Sequence, residues 1–514
     1  MISFRKKERT VGMPNYKEKI AEFENNFSTV IDKSARDLSM AFDNLYLDKN
    51  AKEIPPTIKL AEALLSGEHN ISTKMQIHYD IANAYHDLRM IEGVYSERYL
   101  EKELYHLRCA LDMYETNYYD ADSDSAEVKV AQYIAMRSYT NLGNAYRALG
   151  RHIVAIDCFQ DALLISNDFA MASLNLSFLL FRCAPLQIKR YEQSYYHHAC
   201  YYYYKQTERC KINLEDQDYL EGLKSNISLF DSAYVENYLN KPLELPLFEV
   251  DNQDEADYRN YLLLFRLFLD PCLEILSDHC FAVDSINLPF EAPYSDREKE
   301  FIGLFNQIKQ EYNWARLLWY KTSTEEANEH YSDRELDLVD TGDSSDHSLR
   351  ESMLRTAFKA AYSLFDRIGF FINQYFEVGL TDTKVSFKNI WKEQLIDGNG
   401  QVYFTIPKPI MNTHSDNPLV KAMYWLQKDF YERKEINVTT PHAERIFQMR
   451  NDIEHNCLRT GTQSHNTSFT KYTTEGKIEN NTFRLLKLAR ELIIYLCLAV
   501  NFDREKDKRA SMEE

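Results

Sequence analysis

Glycine and proline are scarce in this chain, with 14 and 13 among 514 residues. Because these residues build turns and linkers, their scarcity argues against a turn-rich all-β fold and against collagen-like or flexible low-complexity sequence. The nine cysteines include no CxxC pair and no Cys/His spacing typical of zinc sites, which argues against a structural metal and for a reducing compartment. We expect neither a bound metal nor a cofactor.

The chain also lacks a long apolar run. Met1–Gly12 contains no apolar core of the kind that a secretory signal needs. The most apolar stretch, about residues 492–502, is shorter than the roughly 20 residues that cross a bilayer. We therefore expect a cytoplasmic protein without a membrane partner.

Negative charge is concentrated in the first two thirds of the chain. The formal net charge is −19, of which residues 1–350 carry −21 and residues 351–514 carry +2. The acidic part would repel RNA, whereas the balanced part leaves room for a local cationic cleft.

Residues 14–240 are predicted to form a helical-repeat domain that follows a short tail at 1–13. One segment spaces large and small residues as two packed helices would, with Gly150 at the turn between them. The residues of this pattern are Tyr139, Leu142, Gly143, Tyr146, Ala155, Phe159 and Ala162. The pattern resembles the tetratricopeptide (TPR) repeat, although Asn167 replaces the usual closing proline. The resemblance predicts a TPR-like solenoid whose concave face binds a protein.

The tyrosine-rich segment Tyr195–Lys205 has two interpretations. Its aromatic rings either fill the gaps between helices or stack on nucleobases. His197 and His198 are adjacent, so they point about 100° apart on a helix and make a poor metal pair.

The remaining chain divides into segments of different character. These are a connector at 241–294 with an apolar helix at Tyr258–Phe268, a helical domain at 295–502, and a charged tail at 503–514. Within the helical domain, apolar periodicity predicts helices at Phe301–Tyr320 and Ser348–Tyr375, separated by an acidic loop at 322–348. Alternating residues around Val402 and Phe404 predict a small β-hairpin. The predicted fold class is all-α.

A helix near residue 450 carries two stripes of opposite character. Thr440 is predicted to cap it and Pro441 to occupy its first position. The apolar stripe comprises Ile446, Met449, Ile453 and Cys457, and the polar stripe comprises Gln448, Asn451, His455 and Arg459.

Arg450 has two candidate partners on this helix. Glu454 lies four residues away and can form an ion pair with it. His455 lies five residues away and about 140° out of line, so the two meet in one helix only if the arginine side chain curls round. A cleft between two copies of the helix would bring them together more easily.

The sequence Arg450-Asn451-x-x-x-His455 resembles the signature of HEPN domains. The stretches FNQIKQEYNWARLLWY and AYSLFDRIGFFINQYF resemble the first half of a bacterial HEPN subgroup. The resemblance implies a helical bundle that forms a homodimer with the motif helices facing each other. It also implies a metal-independent ribonuclease.

Carried over from the family, the motif residues have distinct roles. His455 would move protons while the ribose 2′-OH attacks the adjacent phosphate, and Arg450 would stabilise the negative charge. Asn451 would position either His455 or the phosphate. Glu454 and Arg459 are supporting candidates. Arg484, Lys487 and Arg490 are either contacts to the RNA backbone or a solvated helix face.

The predicted function is a homodimeric endoribonuclease with a composite active site, which cleaves RNA, such as tRNA or mRNA, in bacterial toxin or antiphage defence. The TPR-like domain would recognise an unidentified protein or phage trigger. The alternative is a non-catalytic TPR scaffold that an inactive HEPN domain dimerises.

Overall fold

A computed structural model describes most of the chain. It covers residues 24–93, 96–119, 121, 124–210, 221, 224, 233–236, 239, 248, 250–269, 282–324, 331–334, 336–339, 345–396, 402–430, 439–461 and 470–513. Helices dominate these residues and the strands are short, which confirms the all-α prediction. The predicted tail at 1–13 lies outside them. No helix in this described part of the chain has both the length and the apolarity needed to cross a membrane.

The chain forms two compact units. The N-terminal unit comprises Met1–Ala184, Tyr196–Leu243 and Glu432–Pro441. The C-terminal unit comprises Pro185–Tyr195, Glu244–Tyr431 and His442–Glu514. A short segment that precedes the motif helix therefore belongs to the unit that contains the predicted repeats.

Successive helices pack against each other in the N-terminal unit, most extensively α3 with α4 and α5 with α6. The helices are α1 (Lys33–Leu47), α2 (Ile54–Leu65), α3 (Ile71–Glu92), α4 (Glu97–Asn117), α5 (Ala126–Ala148), α6 (His152–Ile165) and α7 (Ala170–Cys183). Two further helices follow, α8 (Arg190–Arg209) and α9 (Ala233–Glu236), of which the second is a single turn.

Polar residues define where three of these helices start. The side chains of Asn70, Ser96 and Ser125 each accept a hydrogen bond from a backbone N–H in the first turn of α3, α4 and α5, at 2.7, 3.3 and 3.3 Å. Such caps satisfy N–H groups that have no partner within the helix, and each contributes about 1 kcal/mol.

The segment that resembles a TPR repeat forms two packed helices, α5 and α6. Its patterned residues are all buried, and Gly150 has a left-handed backbone (φ 77°) at the turn. A β-carbon added to Gly143 would lie 2.7 Å from the Phe159 ring, so a glycine allows this close approach. The helix pair is confirmed, whereas the assignment to the TPR family stays a prediction.

The tyrosine-rich segment lies on α8. Tyr196 and Tyr202–Tyr204 are buried. Their burial favours the packing interpretation over base stacking.

The C-terminal unit is built around α11, α13 and α17, which pack against one another. Its helices are α10 (Gln253–Leu264), α11 (Asp296–Thr324), α12 (Tyr331–Arg334), α13 (Leu349–Tyr375), α14 (Lys408–His414), α15 (Pro418–Phe430), α16 (Ala443–His455) and α17 (Glu475–Glu513). Ser348 caps α13 by accepting a hydrogen bond from Glu351 N at 3.2 Å, as expected for a helix beginning there.

Two segments differ from their predicted character. The apolar helix of the connector is α10, which lies earlier than predicted and packs Tyr261 against Trp319 of α11 with the ring centroids 5.2 Å apart. The charged segment 503–514 is not a free tail, because α17 continues to Glu513 and Arg504 pairs with Glu298 at 2.8 Å.

Two small sheets accompany the helices. Strands β2 (Glu393–Ile396) and β3 (Val402–Thr405) pair antiparallel, which confirms the predicted hairpin; its tip at 397–401 lies outside the described residues. In the second sheet, β4 (Cys457–Gly461) pairs antiparallel with β1 (Ser345–Asp346) and parallel with β5 (Thr470–Thr473).

The acidic segment 322–348 was predicted as a loop, but part of it has regular structure. It contains the end of α11, the turn α12 and strand β1, and β1 pairs with β4 directly after the motif helix. The pairing satisfies backbone N–H and C=O groups of this segment. Because the partner strand lies more than a hundred residues away, the local charge pattern did not predict it.

Gly369 permits the closest backbone approach in the C-terminal unit among the described glycines. A β-carbon added there would lie 2.8 Å from Phe387 N and 3.0 Å from Phe387 Cα. Because the obstructing atoms are backbone, rotation of a side chain cannot relieve the overlap.

We predict that Gly369→Ala lowers the free energy of unfolding by about 1–3 kcal/mol, as expected for an overpacked core position. Gly303→Ala is the matched control on α11, since nothing lies within 4 Å of its added β-carbon. That change should raise stability by roughly 0.5–1 kcal/mol, because alanine favours the helix. Urea denaturation of the full chain measures both. Equal effects of the two changes would contradict the close approach.

Candidate functional site

The motif helix α16 begins at Ala443, later than predicted. Pro441 and His442 form a turn before it, and His442 occupies the capping position, although its side chain makes no capping hydrogen bond to the first turn. Thr440 lies two residues before this position and therefore does not cap the helix. Just before it, the carbonyl of Thr439 accepts a hydrogen bond from Arg108 Nη1 at 2.7 Å within the N-terminal unit.

The two predicted stripes are correct along the helix but stop at its end. Ile446 and Met449 are buried, Ile453 is half-buried, and His455 is exposed. The helix ends at His455 because Asn456 has an extended backbone (φ −119°, ψ 169°).

Two predicted members of these stripes therefore do not lie on the helix. Cys457 and Arg459 belong to β4, where they pair with Thr470 and Tyr472 of β5. Arg459 cannot share a helical face with Asn451 and His455, so its predicted supporting role loses its geometric basis. Strand pairing, which depends on distant residues, overrides the helical periodicity here.

Arg450 and His455 meet within one chain. The guanidinium curls round the helix so that Arg450 Nη1 lies 3.2 Å from His455 Nε2 and donates to Asn451 Oδ1 at 3.1 Å. A guanidinium can only donate, so Nε2 of His455 is the acceptor in this contact. A second copy of the helix is therefore not needed to join the two groups.

Helix α13 forms a wall beside these residues. The Arg450 guanidinium carbon lies 5.8 Å from the centroid of the Tyr362 ring. Glu454 pairs with Lys359 at 3.6 Å, in place of the predicted ion pair with Arg450. Glu454 thus pairs with a residue of another helix and not with Arg450, four residues earlier on its own helix.

A carboxyl group on α13 lies in the electrostatic field of Arg450. Desolvation raises the pKa of Asp366, while the backbone N–H of Phe387 and the positive charge of Arg450 act in the opposite direction. The hydrogen bond from Phe387 N to Asp366 Oδ1 measures 3.2 Å. Asp366 therefore links Arg450 to the segment that follows α13.

A buried carboxylate anchors the strand after the motif helix. Glu351 accepts hydrogen bonds from Thr460 Oγ1 and Arg355 Nη2, and the same Arg355 nitrogen donates to Leu458 O at 2.5 Å. Desolvation raises the pKa of Glu351, and Thr460 and Arg355 oppose the rise. These contacts hold β4 against α13 and so define where α16 ends.

The three basic residues predicted to contact RNA on α17 differ in their environment. Arg490 is buried, and its Nε donates to Phe268 O at 2.5 Å. It therefore serves the interior of the unit and is not available to a phosphate. Arg484 and Lys487 are half-buried, and their contact with RNA stays a prediction.

Four residues that lie beside the motif were not predicted from the sequence: Lys359, Tyr362, Lys388 and Phe447. Phe447 lies four residues before Asn451 and eight before His455, a spacing that the sequence already contains. Lys388 lies above the Phe447 ring, with its Nζ 5.8 Å from the centroid. Lys359 and Tyr362 lie on α13 and reach the motif through the packing of this helix against α16. No local pattern in the sequence indicates this packing.

The described residues contain no group of three or more His, Cys, Asp or Glu side chains placed to hold a metal ion. Two carboxylates of the motif helix, Asp452 and Glu454, already have partners. Asp452 Oδ1 accepts a hydrogen bond from Asn456 Nδ2 at 2.7 Å, and Glu454 pairs with Lys359. This arrangement is a poor cradle for a divalent cation, which prefers converging carboxylates.

We predict that His455→Ala and Arg450→Ala each change the free energy of unfolding by less than about 0.5 kcal/mol, because neither removes buried apolar volume. Ile446→Ala is the contrast on the same helix, since this side chain is 2% exposed. Its truncation should cost about 2–5 kcal/mol. Thermal unfolding with circular dichroism measures all three variants. Unfolding of Arg450→Ala would instead assign Arg450 a structural role.

Comparison with known families covers the C-terminal part of the chain. Residues 294–503 match the family model described as LA2681-like HEPN, in close agreement with the predicted range of 295–502. Neither the curated proteins nor the solved structures yield a significant match to the chain. The match includes the motif helix and the α13 wall. It supports the HEPN resemblance for this region, and HEPN domains are generally ribonucleases.

Proposed function

We propose that the chain is a metal-independent endoribonuclease of the HEPN type, which acts as a homodimer and is regulated by its helical-repeat unit. The observation that carries the proposal is the contact between Arg450 Nη1 and His455 Nε2 at 3.2 Å, with Asn451 on the same guanidinium. The family match over residues 294–503 supports an RNA-related function.

The reaction begins when a substrate phosphate draws the Arg450 guanidinium away from His455. A phosphate anion forms stronger charge-assisted hydrogen bonds than a neutral imidazole does. The released Nε2 of His455 then accepts the proton of the ribose 2′-OH. Arg450 stabilises the negative charge that develops on the phosphate oxygens.

The remaining steps complete an internal displacement. The 2′-oxygen forms a bond to phosphorus, and the bond between phosphorus and the 5′-oxygen of the next nucleotide breaks. The imidazolium returns its proton to this leaving oxygen. The products are a 2′,3′-cyclic phosphate and a 5′-hydroxyl, and no metal-activated water takes part.

The N-terminal unit offers a route for regulation. Arg108 of α4 holds the backbone of Thr439, and α16 begins shortly afterwards at Ala443. A protein or phage trigger that binds the TPR-like helices would regulate the cleavage activity. Restraint of this kind suits a ribonuclease in toxin or antiphage defence, since its activity harms its own cell.

We predict that the purified chain cleaves total RNA in the presence of EDTA. End-group analysis should find 2′,3′-cyclic phosphates, or their hydrolysed form, together with 5′-hydroxyls. His455→Ala and Arg450→Ala should each slow cleavage at least about 100-fold, because each removes a group needed in the transition state. His442→Ala is the matched control at the other end of the helix and should keep the wild-type rate.

Three results would count against this assignment in different ways. Products with 5′-phosphates, or activity that requires added Mg²⁺, would contradict the mechanism. Wild-type turnover in His455→Ala would contradict the role of His455. RNA that stays intact under all conditions would favour the non-catalytic scaffold.

We also predict that the full chain is a dimer in solution. Light scattering at tens of micromolar should give twice the chain mass of 60.6 kDa. A mass of one chain would contradict the homodimer. The cleavage assay would still test the chemistry of the motif in a monomer, because Arg450 and His455 already meet within one chain.

A further inference from the structure

Two arginines of the N-terminal unit lie against one aromatic ring. Arg147 is in the last turn of α5 and Arg182 is in the last turn of α7, and these two helices pack against each other. The guanidinium carbons lie 5.6 and 5.7 Å from the centroid of the Phe178 ring. A contact of this kind holds a cation in place but does not neutralise its charge. The ring therefore keeps two like charges close to each other.

Neither arginine forms an ion pair with a carboxylate in the part of the chain that the structure describes. Apart from the ring, Arg147 donates one long hydrogen bond to Asn175 Oδ1 at 3.4 Å. Lys129, on the same helix as Arg147, does have an acidic partner, Asp124, at 3.6 Å. Acidic residues outnumber basic ones in this part of the sequence. Two uncompensated arginines are therefore an exception within an acidic unit.

A histidine lies in the positive field of both arginines. Burial, together with the positive charges of Arg182 and Arg147, lowers the pKa of His152 to about 4. The imidazole is therefore neutral at neutral pH. Its Nδ1 atom is buried and has no hydrogen-bond partner among the described residues. A buried polar atom without a partner is costly, so this nitrogen favours a ligand that can accept its hydrogen.

The start of a third helix adds to the positive field. His152 is the first residue of α6, and no side chain caps this helix end. The N-terminus of a helix carries partial positive charge and attracts anions. The guanidinium groups of α5 and α7 and the start of α6 thus act on the same histidine. Three separate elements bring positive charge to one place.

We propose that Arg147, Arg182 and His152 form a binding site for a phosphate monoester, the group that nucleotides, phosphorylated metabolites and phosphorylated side chains share. Such a group carries about −1.5 to −2 charges at neutral pH, which two guanidinium groups balance. The donor fork of each arginine matches its oxygens, and Nδ1 of His152 can donate to another. The site lies within the N-terminal unit and does not depend on the ribonuclease assignment.

Charge favours this ligand over a carboxylate or an RNA strand. A carboxylate carries one negative charge and would leave one guanidinium uncompensated. Each phosphodiester of RNA also carries one charge. Residues 1–350 have a net charge of −21, whose repulsion grows with the charge of the ligand and therefore acts most strongly against a polyanion.

Isothermal titration calorimetry of the full chain, at neutral pH and constant ionic strength, tests the site. Inorganic phosphate measures the shared chemistry, and acetate is the carboxylate control, which should not bind. Adenosine 5′-monophosphate and a short peptide with one phosphoserine distinguish the sources. The probe that binds more tightly than inorganic phosphate identifies the natural ligand as a small molecule or a protein.

Variants locate the binding. Arg147→Gln and Arg182→Gln should each weaken phosphate binding by about 10- to 100-fold, which corresponds to the loss of one charge-assisted hydrogen bond. Arg147→Lys should recover only part of the affinity, because an ammonium group keeps the charge but lacks the fork. Lys129→Gln is the matched control. It removes one positive charge near the other end of the same helix and should bind phosphate like the wild type.

Thermal unfolding without ligand distinguishes a binding site from a structural contact. Uncompensated like charges repel, so Arg182→Gln should leave the unfolding midpoint unchanged or raise it. A lowered midpoint would assign this arginine to the fold and overturn the site. Phosphate probes that do not bind at millimolar concentration, or that bind both glutamine variants as tightly as the wild type, would also overturn it. Equal binding of acetate and phosphate would contradict the dianion.

Discussion

Burial of the Glu351 carboxylate is the constraint on which the geometry of the motif depends. A buried carboxylate needs partners, and Glu351 takes them from Thr460 and from Arg355, which also binds Leu458 O. Thr460 and Leu458 lie on β4, so the charge on α13 draws this strand to its side. The chain must leave the helical conformation at Asn456 to enter the strand. His455 consequently becomes the last residue of α16, exposed at its end.

This helix end makes the Arg450–His455 contact possible. Their spacing places the two residues on different sides of a regular helix. At the last residue no further turn stands in the way, and the flexible arginine side chain reaches round to the imidazole. Tyr362 of α13 lies near the same guanidinium, whose charge also acts on Asp366. The wall of α13 therefore both fixes the strand and surrounds the arginine.

The N-terminal unit uses polar groups in its interior in a similar way. Asp80 is buried and accepts hydrogen bonds from Ser39 at 2.5 Å and Gln76 at 2.8 Å. Desolvation raises its pKa to about 7, against the effect of these hydrogen bonds and of the nearby Arg137. Nearby, His78 and His106 face each other with their Nδ1 atoms 2.9 Å apart, and burial lowers the pKa of both rings. Specific polar contacts of this kind align successive helices more strictly than apolar packing alone.

The sequence by itself predicted the helical character of both units, the helix that begins near Ser348, the hairpin around Val402 and the three motif residues as a candidate site. Apolar periodicity, capping and turn formation act over a few residues, so they can be recognised locally. Only the tertiary structure decided that α16 ends at His455, that Arg459 lies on a strand, that Glu454 pairs with Lys359 and that Arg490 is buried. Each of these depends on a partner far away in the chain. Unpaired strand backbone groups and buried charges must find partners wherever the fold brings them close. The spacing of residues along the sequence does not show which distant residues these are.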